Sequence, residues 1–269
     1  MAKPLVSDDL WAAIAPLPPP ERPRRNGGRK PVSDRPALAG ILFVLISGIP
    51  WERLPAEMGC GSGLTCWRQL RDWQAAGVWS RLHLVLLERL HGADKLDWTR
   101  ASLDSASVPA KKGGAATGPN PPDRGKPGTK RHIVVDGHGT PPGLTLSPAS
   151  RNGSEMLAAT LDAIPPVRRR KPGGRPRCRP GRLPADKSYN HRFRRDECRR
   201  RGIVARIARR GVEDSSRLGR HRWKVEPMLA WMVRFRRLTI RHERREHIHL
   251  ACNALPASII WPRQTRRSG

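Results

Sequence analysis

Apolar residues in the first third of the chain recur at the spacing of helix faces. Ser7 is placed to cap a helix through Leu10, Trp11 and Ile14, which the proline cluster from 16 to 20 ends. Ser33 is the N-cap of a second helix, where Leu38, Ile41, Leu42 and Leu45 follow the i, i+3, i+4, i+7 pattern of a buried face. Gly48 and Pro50 stop it. A third helix starts near Ser62 or Thr65, with Trp67, Leu70 and Trp73 predicted inward and Arg68 and Arg71 outward. A fourth runs from Trp79 to Leu90 with Leu82, Leu86 and Leu90 along one side.

After position 96 the period becomes mixed. Leu96 to Leu103 is a predicted strand ending at Asp104, and Ile133–Val135 and Leu144–Leu146 are short strands joined by turn residues. The Gly, Pro and Asn run from 113 to 128 is a predicted surface loop. Glu155–Ile164 has helical spacing, Leu183–Ala185 is a short strand, Phe193–Arg201 a helix and Ile203–Ile207 a strand. A last amphipathic helix spans about Arg222 to Arg237. Strands alternating with helices suit an α/β fold, a mixed sheet flanked by helices. Residues 1–95 therefore form a small all-helical domain in this reading and 96–269 an α/β domain. Short helices with a basic outer face suit a helix-turn-helix-like module that puts one helix in the major groove. The same pattern suits a helical cap with a solvated face.

Charge narrows the partner. Fifty-two Lys and Arg against 23 Asp and Glu leave a formal charge of +29 on 269 residues. A compact body with that surplus repels itself unless a polyanion neutralises it, and clustered bases favour nucleic acid. Five cysteines without a C-x-x-C pair argue against a zinc finger and a disulfide framework. Cys60 and Cys66 read as buried apolar residues. The apolar run from Leu38 to Ile46 is too short to span a bilayer, and Asp8 and Asp9 follow Lys3 where a signal peptide would need an apolar run. The expectation is a soluble, cytoplasmic protein with no membrane partner.

Acids are scarce, so those at element ends stand out. Asp104 lies in LDSAS, Asp186 closes LPAD, and Glu226 sits in RWKVE. Each taken alone reads as an exposed cap or an ion-pair partner. Three converging carboxylates would raise one another's pKa values without a cation. Two magnesium ions, hard cations preferring oxygen, would resolve that conflict, and manganese can substitute.

Several long blocks settle which reading to follow. SDDLWAAIAPLPPP, GRKPVSDRPALAGILFVLISGIPWERLPAEMGCGSGLTCWRQLRDW, GAATGPNPPDRGKPGTKRHIVVD and GRHRWKVEPMLAWMVRFRRL resemble the insertion-sequence transposases of the group called IS-five, over about residues 7 to 262. The resemblance implies a ribonuclease-H-like fold with a DDE triad on Asp104, Asp186 and Glu226, two divalent ions, and no covalent protein–DNA intermediate. It implies a DNA transposase that binds the terminal inverted repeats of an element, cuts there, and joins the 3′ ends to target DNA as an oligomer. Arg222, four residues before Glu226, matches a basic position of the family. Lys130, Arg131 and His132 match the basic end of a DNA-facing block, and a solvated loop is their other reading.

Departures accompany the match. Ser188 and Asn190 replace Gly and Asp, Pro184 replaces an aromatic, and Pro227 replaces Arg directly after Glu226. Proline inside a helix costs about 3 kcal/mol unless it falls in the first turn. A catalytically weakened or inactive copy that only binds DNA is the alternative these departures raise. Pro256 is expected to interrupt the last apolar stretch.

Overall fold

A computed structural model describes residues 4–20, 31–169, 175–185, 187–207 and 224–264. The first helix, α1 (Asp8–Ile14), is capped as its sequence requires: the Ser7 hydroxyl accepts the Leu10 N–H at 3.3 Å. α2 (Asp34–Ser47) ends at Gly48 in the left-handed region. Its Leu38, Ile41, Leu42, Val44 and Leu45 have no solvent exposure. A helix that is apolar on so many sides must be wrapped by others.

α3 (Gly63–Ala75) and α4 (Val78–Gly92) do part of that wrapping. Their Trp73 and Trp79 meet edge to face, with ring centroids 5.3 Å apart, and the Trp79 indole donates to the Leu70 carbonyl at 3.3 Å. Cys60 and Cys66 are buried beside α2, as expected of apolar fillers; burial pushes the Cys66 thiol up to about 12. Trp67 departs from expectation. The inward row is Gly63, Cys66, Leu70 and Trp73, and Trp67 stands about 100° away from it on the half-exposed flank.

β1 (Ala101–Pro109) starts later than the sequence suggested and carries Asp104 within it rather than at its end. It pairs antiparallel with β3 (Pro127–Asp136), with Asp104 opposite Ile133. Between them, β2 (Gly118–Pro119) pairs with the start of β3 inside the expected loop. β4 (Gly143–Pro148) lies on the other edge of β3, also antiparallel. α5 (Leu157–Asp162) then leads to β5 (Arg182–Ala185), α6 (Arg192–Arg200) and β6 (Val204–Ile207). β5 and β6 are parallel. The Gly181 N–H donates to the Trp98 carbonyl at 2.8 Å, so β5 begins beside the start of β1 and packs along it. The result is mixed α/β, with strands in the spatial order β4, β3, β1, β5, β6.

The chain closes with α7 (Val225–Val233), a 3-10 turn at Arg236–Leu238, and α8 (Glu246–Gln264). Pro256 does not interrupt α8. The helix runs through it with Leu255, Ala257 and Ile259 buried, so packing offsets the missing backbone donor.

Two cores cover the two sheet faces. One takes Ile133 and Val135 from β3 and joins them to α2, α3, α4, α7 and α8. The other takes Ala101, Leu103 and Val134 and joins them to Leu157, Leu161, Leu183, Ala185 and Cys198. The first and last parts of the chain thus share one core, and position 95/96 does not divide one core from another. Arg237 reinforces that union. It donates to the Ile49 carbonyl at 2.9 Å and pairs with buried Glu243 at 3.0 Å.

Two consequences are measurable. A Cβ at Gly63 would lie 1.6 Å from the Trp51 carbonyl oxygen, so backbone must move to admit it. Gly63→Ala should cost about 3 kcal/mol, the top of the usual overpacking range, read as a lower urea midpoint at unchanged slope. The second concerns acid. Burial, aided by Lys130 and Arg151, holds His132 down to about 4, and burial, aided by Arg241 and Arg131, holds His249 down to about 3. An unfolded histidine titrates at about 6.5, so below that pH the unfolded chain binds more protons and stability rises with pH. The urea midpoint should therefore fall as pH drops from about 6.5 to about 4, and His132→Gln should make that fall shallower.

Candidate active site

Strand alternation decides which way Asp104 faces. Its neighbour Leu103 enters the second core, and directly paired antiparallel residues share a face. Asp104 therefore lies on the Ile133 side, the side covered by the first core. Its carboxylate is half-buried, and Oδ1 accepts the Ser105 N–H at 2.7 Å, which fixes one oxygen.

α7 packs on this same side against β1 and β3. Val225, Met228 and Met232 anchor it in the first core, leaving Glu226 exposed in its first turn. A carboxylate suits the N-terminal end of a helix, where the backbone dipole is positive. Pro227 falls in that first turn too, where its missing N–H has no intrahelical partner to lose. Asp186 follows directly on Ala185, the last residue of β5, and lies outside the described residues, as does Arg222.

A further contact ties the end of β5 to the Asp104 neighbourhood. A Cβ at Gly153 would stand 3.0 Å from the Ser105 hydroxyl and 3.3 Å from the Tyr189 hydroxyl. Gly153 thus brings the residue after Asp104 close to the third residue after Asp186. Tyr189 is the one tyrosine of the chain and is buried. A lone tyrosine between Ser188 and Asn190 carries no signal of this role in the sequence, because its burial depends on the Gly153 segment far from it in the chain.

The basic candidates divide. Lys130 is half-buried and its ammonium donates to the Arg151 carbonyl at 2.7 Å; burial pulls its pKa below the usual lysine value. Arg131 and His132 are enclosed, which corrects the expectation that they face DNA. The Arg131 guanidinium donates to Asn253 at 3.3 Å, and the His132 imidazole meets the Ser147 hydroxyl at 2.8 Å. Both sit on a strand paired along both edges and covered on both faces, so neither side chain reaches solvent. Burial lowers the Arg131 pKa to about 10. Arg68 is exposed on α3, and Arg71 is half-buried, 2.8 Å from Asp72.

Among the described residues, no three His, Cys, Asp or Glu side chains gather closely enough to hold a metal ion. No helix among them is long and apolar enough to cross a membrane.

Comparison with known proteins places the chain. Residues 6–83 match a family profile described as "Putative transposase of IS4/5 family", and residues 97–260 match one described as "Transposase DDE domain". The chain is 60% identical over 124 residues to an "Insertion element IS402 uncharacterized 16.2 kDa protein" of Burkholderia cepacia, covering 45% of this chain and 84% of that one. It is 45% identical over 152 residues to a "Putative transposase for insertion sequence element IS402" of the same organism, covering 56% of this chain and 71% of that one. Among solved structures, the Mos1 transposase in a paired-end complex with the left transposon end matches at 14% identity, covering 88% of this chain and 82% of that one. Its TM-score is 0.26, too low to carry a structural argument. The two family profiles between them take in most of the chain, and on that ground it belongs to the DDE transposases of the IS4/5 insertion-sequence group.

Proposed function

We propose that this chain binds the terminal inverted repeats of an insertion element, cuts the DNA there, and joins the freed 3′ ends to target DNA. The observation that carries the reading is the meeting of Asp104 and the helix of Glu226 on one face of one sheet. Asp186 is the proposed third carboxylate, on the grounds of the family match and its place after β5. The strand succession, an antiparallel meander followed by two parallel strands beside β1, supports a ribonuclease-H-like sheet.

The donor set is all carboxylate, which suits hard divalent ions such as magnesium or manganese rather than zinc or copper. A bound pair of such ions would supply activation of a water or a 3′-hydroxyl and stabilisation of the leaving oxygen. The rest falls to the protein. Asp104 presents an oxygen on a strand fixed on its β3 side, and Glu226 presents another from a helix locked by Met228 and Met232. Arg222 is the proposed phosphate contact near them, and Lys130, which alternation puts on the other face of β3, is a proposed DNA contact away from them. Water attacks the phosphorus first and the 3′-hydroxyl attacks second, each in line with the oxygen that leaves. Joining two ends to one target requires more than one copy, so a dimer or larger assembly on DNA is part of the proposal. Pro227 gives no ground for an inactive copy, because it occupies a helix position that tolerates it.

The test uses labelled duplexes carrying the inverted repeats that flank the gene, with magnesium or manganese. The wild-type chain should cut and join them. Asp104→Asn, Asp186→Asn and Glu226→Gln should each abolish cutting while end binding persists. Cutting retained in one variant removes that residue from the triad, and wild-type binding without any cutting supports the DNA-binding alternative instead.

A further inference from the structure

α3 has two sides with opposite fates. Gly63, Cys66, Leu70 and Trp73 are buried, and through them the helix is clamped to α2, α4 and α8. On the outside, Leu64, Trp67, Arg68 and Arg71 fall at i, i+3, i+4 and i+7 and form one stripe along the helix. Leu64 is 53% exposed, Arg68 is exposed, and Trp67 and Arg71 are half-buried. The Arg71 guanidinium stands over the Trp67 ring, 5.5 Å from its centre.

A solvated helix face is ordinarily polar. This one offers a leucine, an indole and two guanidiniums, chemistry that fits a groove edge with thymine methyls, guanine acceptors and phosphates. Among the described residues Arg68 forms no ion pair. Asp72, at the far end of the helix, is held by Arg71 at 2.8 Å.

The other helices fit a duplex less well. α1 opens with Asp8 and Asp9, which repel phosphates. α2 is enclosed. α6 carries Arg192, Arg194, Arg195, Arg199 and Arg200 against Asp196 and Glu197, and three of those arginines are engaged: Arg195 by the Asn190 side chain, Arg199 by Asp196 and Arg200 by Glu197. In α4, Arg81 is tied to the Leu17 carbonyl at 2.6 Å.

We propose that α3 is the helix that enters the major groove at the inverted repeat, with Arg68 on a base edge and Leu64 and Trp67 against apolar base surface. The assignment rests on the reading of the chain as an end-binding transposase. Leu64, Trp67 and Arg68 lie in the first two turns, the part of a recognition helix that reaches bases. Thirteen residues make a helix of about 20 Å, enough to cross a groove about 12 Å wide. The connection from α2 is not a tight turn. It carries 3-10 turns at Trp51–Arg53 and Ala56–Met58, and the first of these presses the Trp51 carbonyl onto Gly63, which fixes the start of α3.

The test measures binding of the full chain to two labelled duplexes. One carries the inverted repeat that flanks the gene, and the other is a shuffled sequence of equal length. Leu64→Ala and Arg68→Ala remove exposed side chains, so their thermal melts should match wild type. Each should lower the preference for the repeat by about tenfold. Arg89→Ala, an exposed arginine in the last turn of α4, should leave the preference unchanged. An undiminished preference in both α3 variants overturns the assignment while the transposase reading stands. A wild-type chain without any preference overturns both.

Discussion

A helix with apolar residues on nearly every side governs this structure. α2 cannot rest on a surface, because its leucines, isoleucine and valine need partners all round. The chain meets that demand from both ends, with α3 from its first third and the Arg236–Leu238 turn from its last part packed against it, and α4, α7 and α8 joined to the same core. Once those elements gather round α2, one face of the β1–β3 ladder is covered as well. The side of the sheet that carries Asp104 is therefore built by residues from both ends of the sequence, and the helix of Glu226 arrives as part of that covering.

Helix faces were legible in the sequence because each is a local pattern. Leu38, Ile41, Leu42 and Leu45 repeat at helical spacing and are buried together. Strand extents were less legible, since an edge is defined by its partner. β3 runs well beyond its apolar triplet Ile133–Val135, because β1 and β4 pair with Lys130, Arg131 and His132 as readily as with valines. The same pairing explains why Arg131 and His132, in a block that resembles a DNA-facing one, are enclosed. Their composition is that of a surface loop, and only the position of β3 between two other strands encloses them.

The place of Asp104 follows from the same physics. The sequence suggests a strand ending on the aspartate, whereas the strand continues for five residues beyond it. Asp104 is thereby held by a ladder that runs on both sides of it, a stiffer mount than a strand tip. The buried Arg131 guanidinium on the adjacent strand meets a neutral amide in Asn253, and its Nε has no protein partner. Such a group costs free energy to bury, and it lies on the same face as Ile133 and Asp104 by strand alternation. Cys60 and Cys66 show the opposite case, polar by formula but placed as small apolar spheres against α2.

The close approach of Gly63 to the Trp51 carbonyl has a mechanical consequence. It leaves α3 no slack at its start, while Cys66, Leu70 and Trp73 leave none along its length. That helix and the Ile133 side of the Asp104 ladder belong to one apolar core, so packed side chains set the distance between them. DNA gripped by one would reach the other at an offset set by protein dimensions, much as a caliper fixes the gap between its jaws.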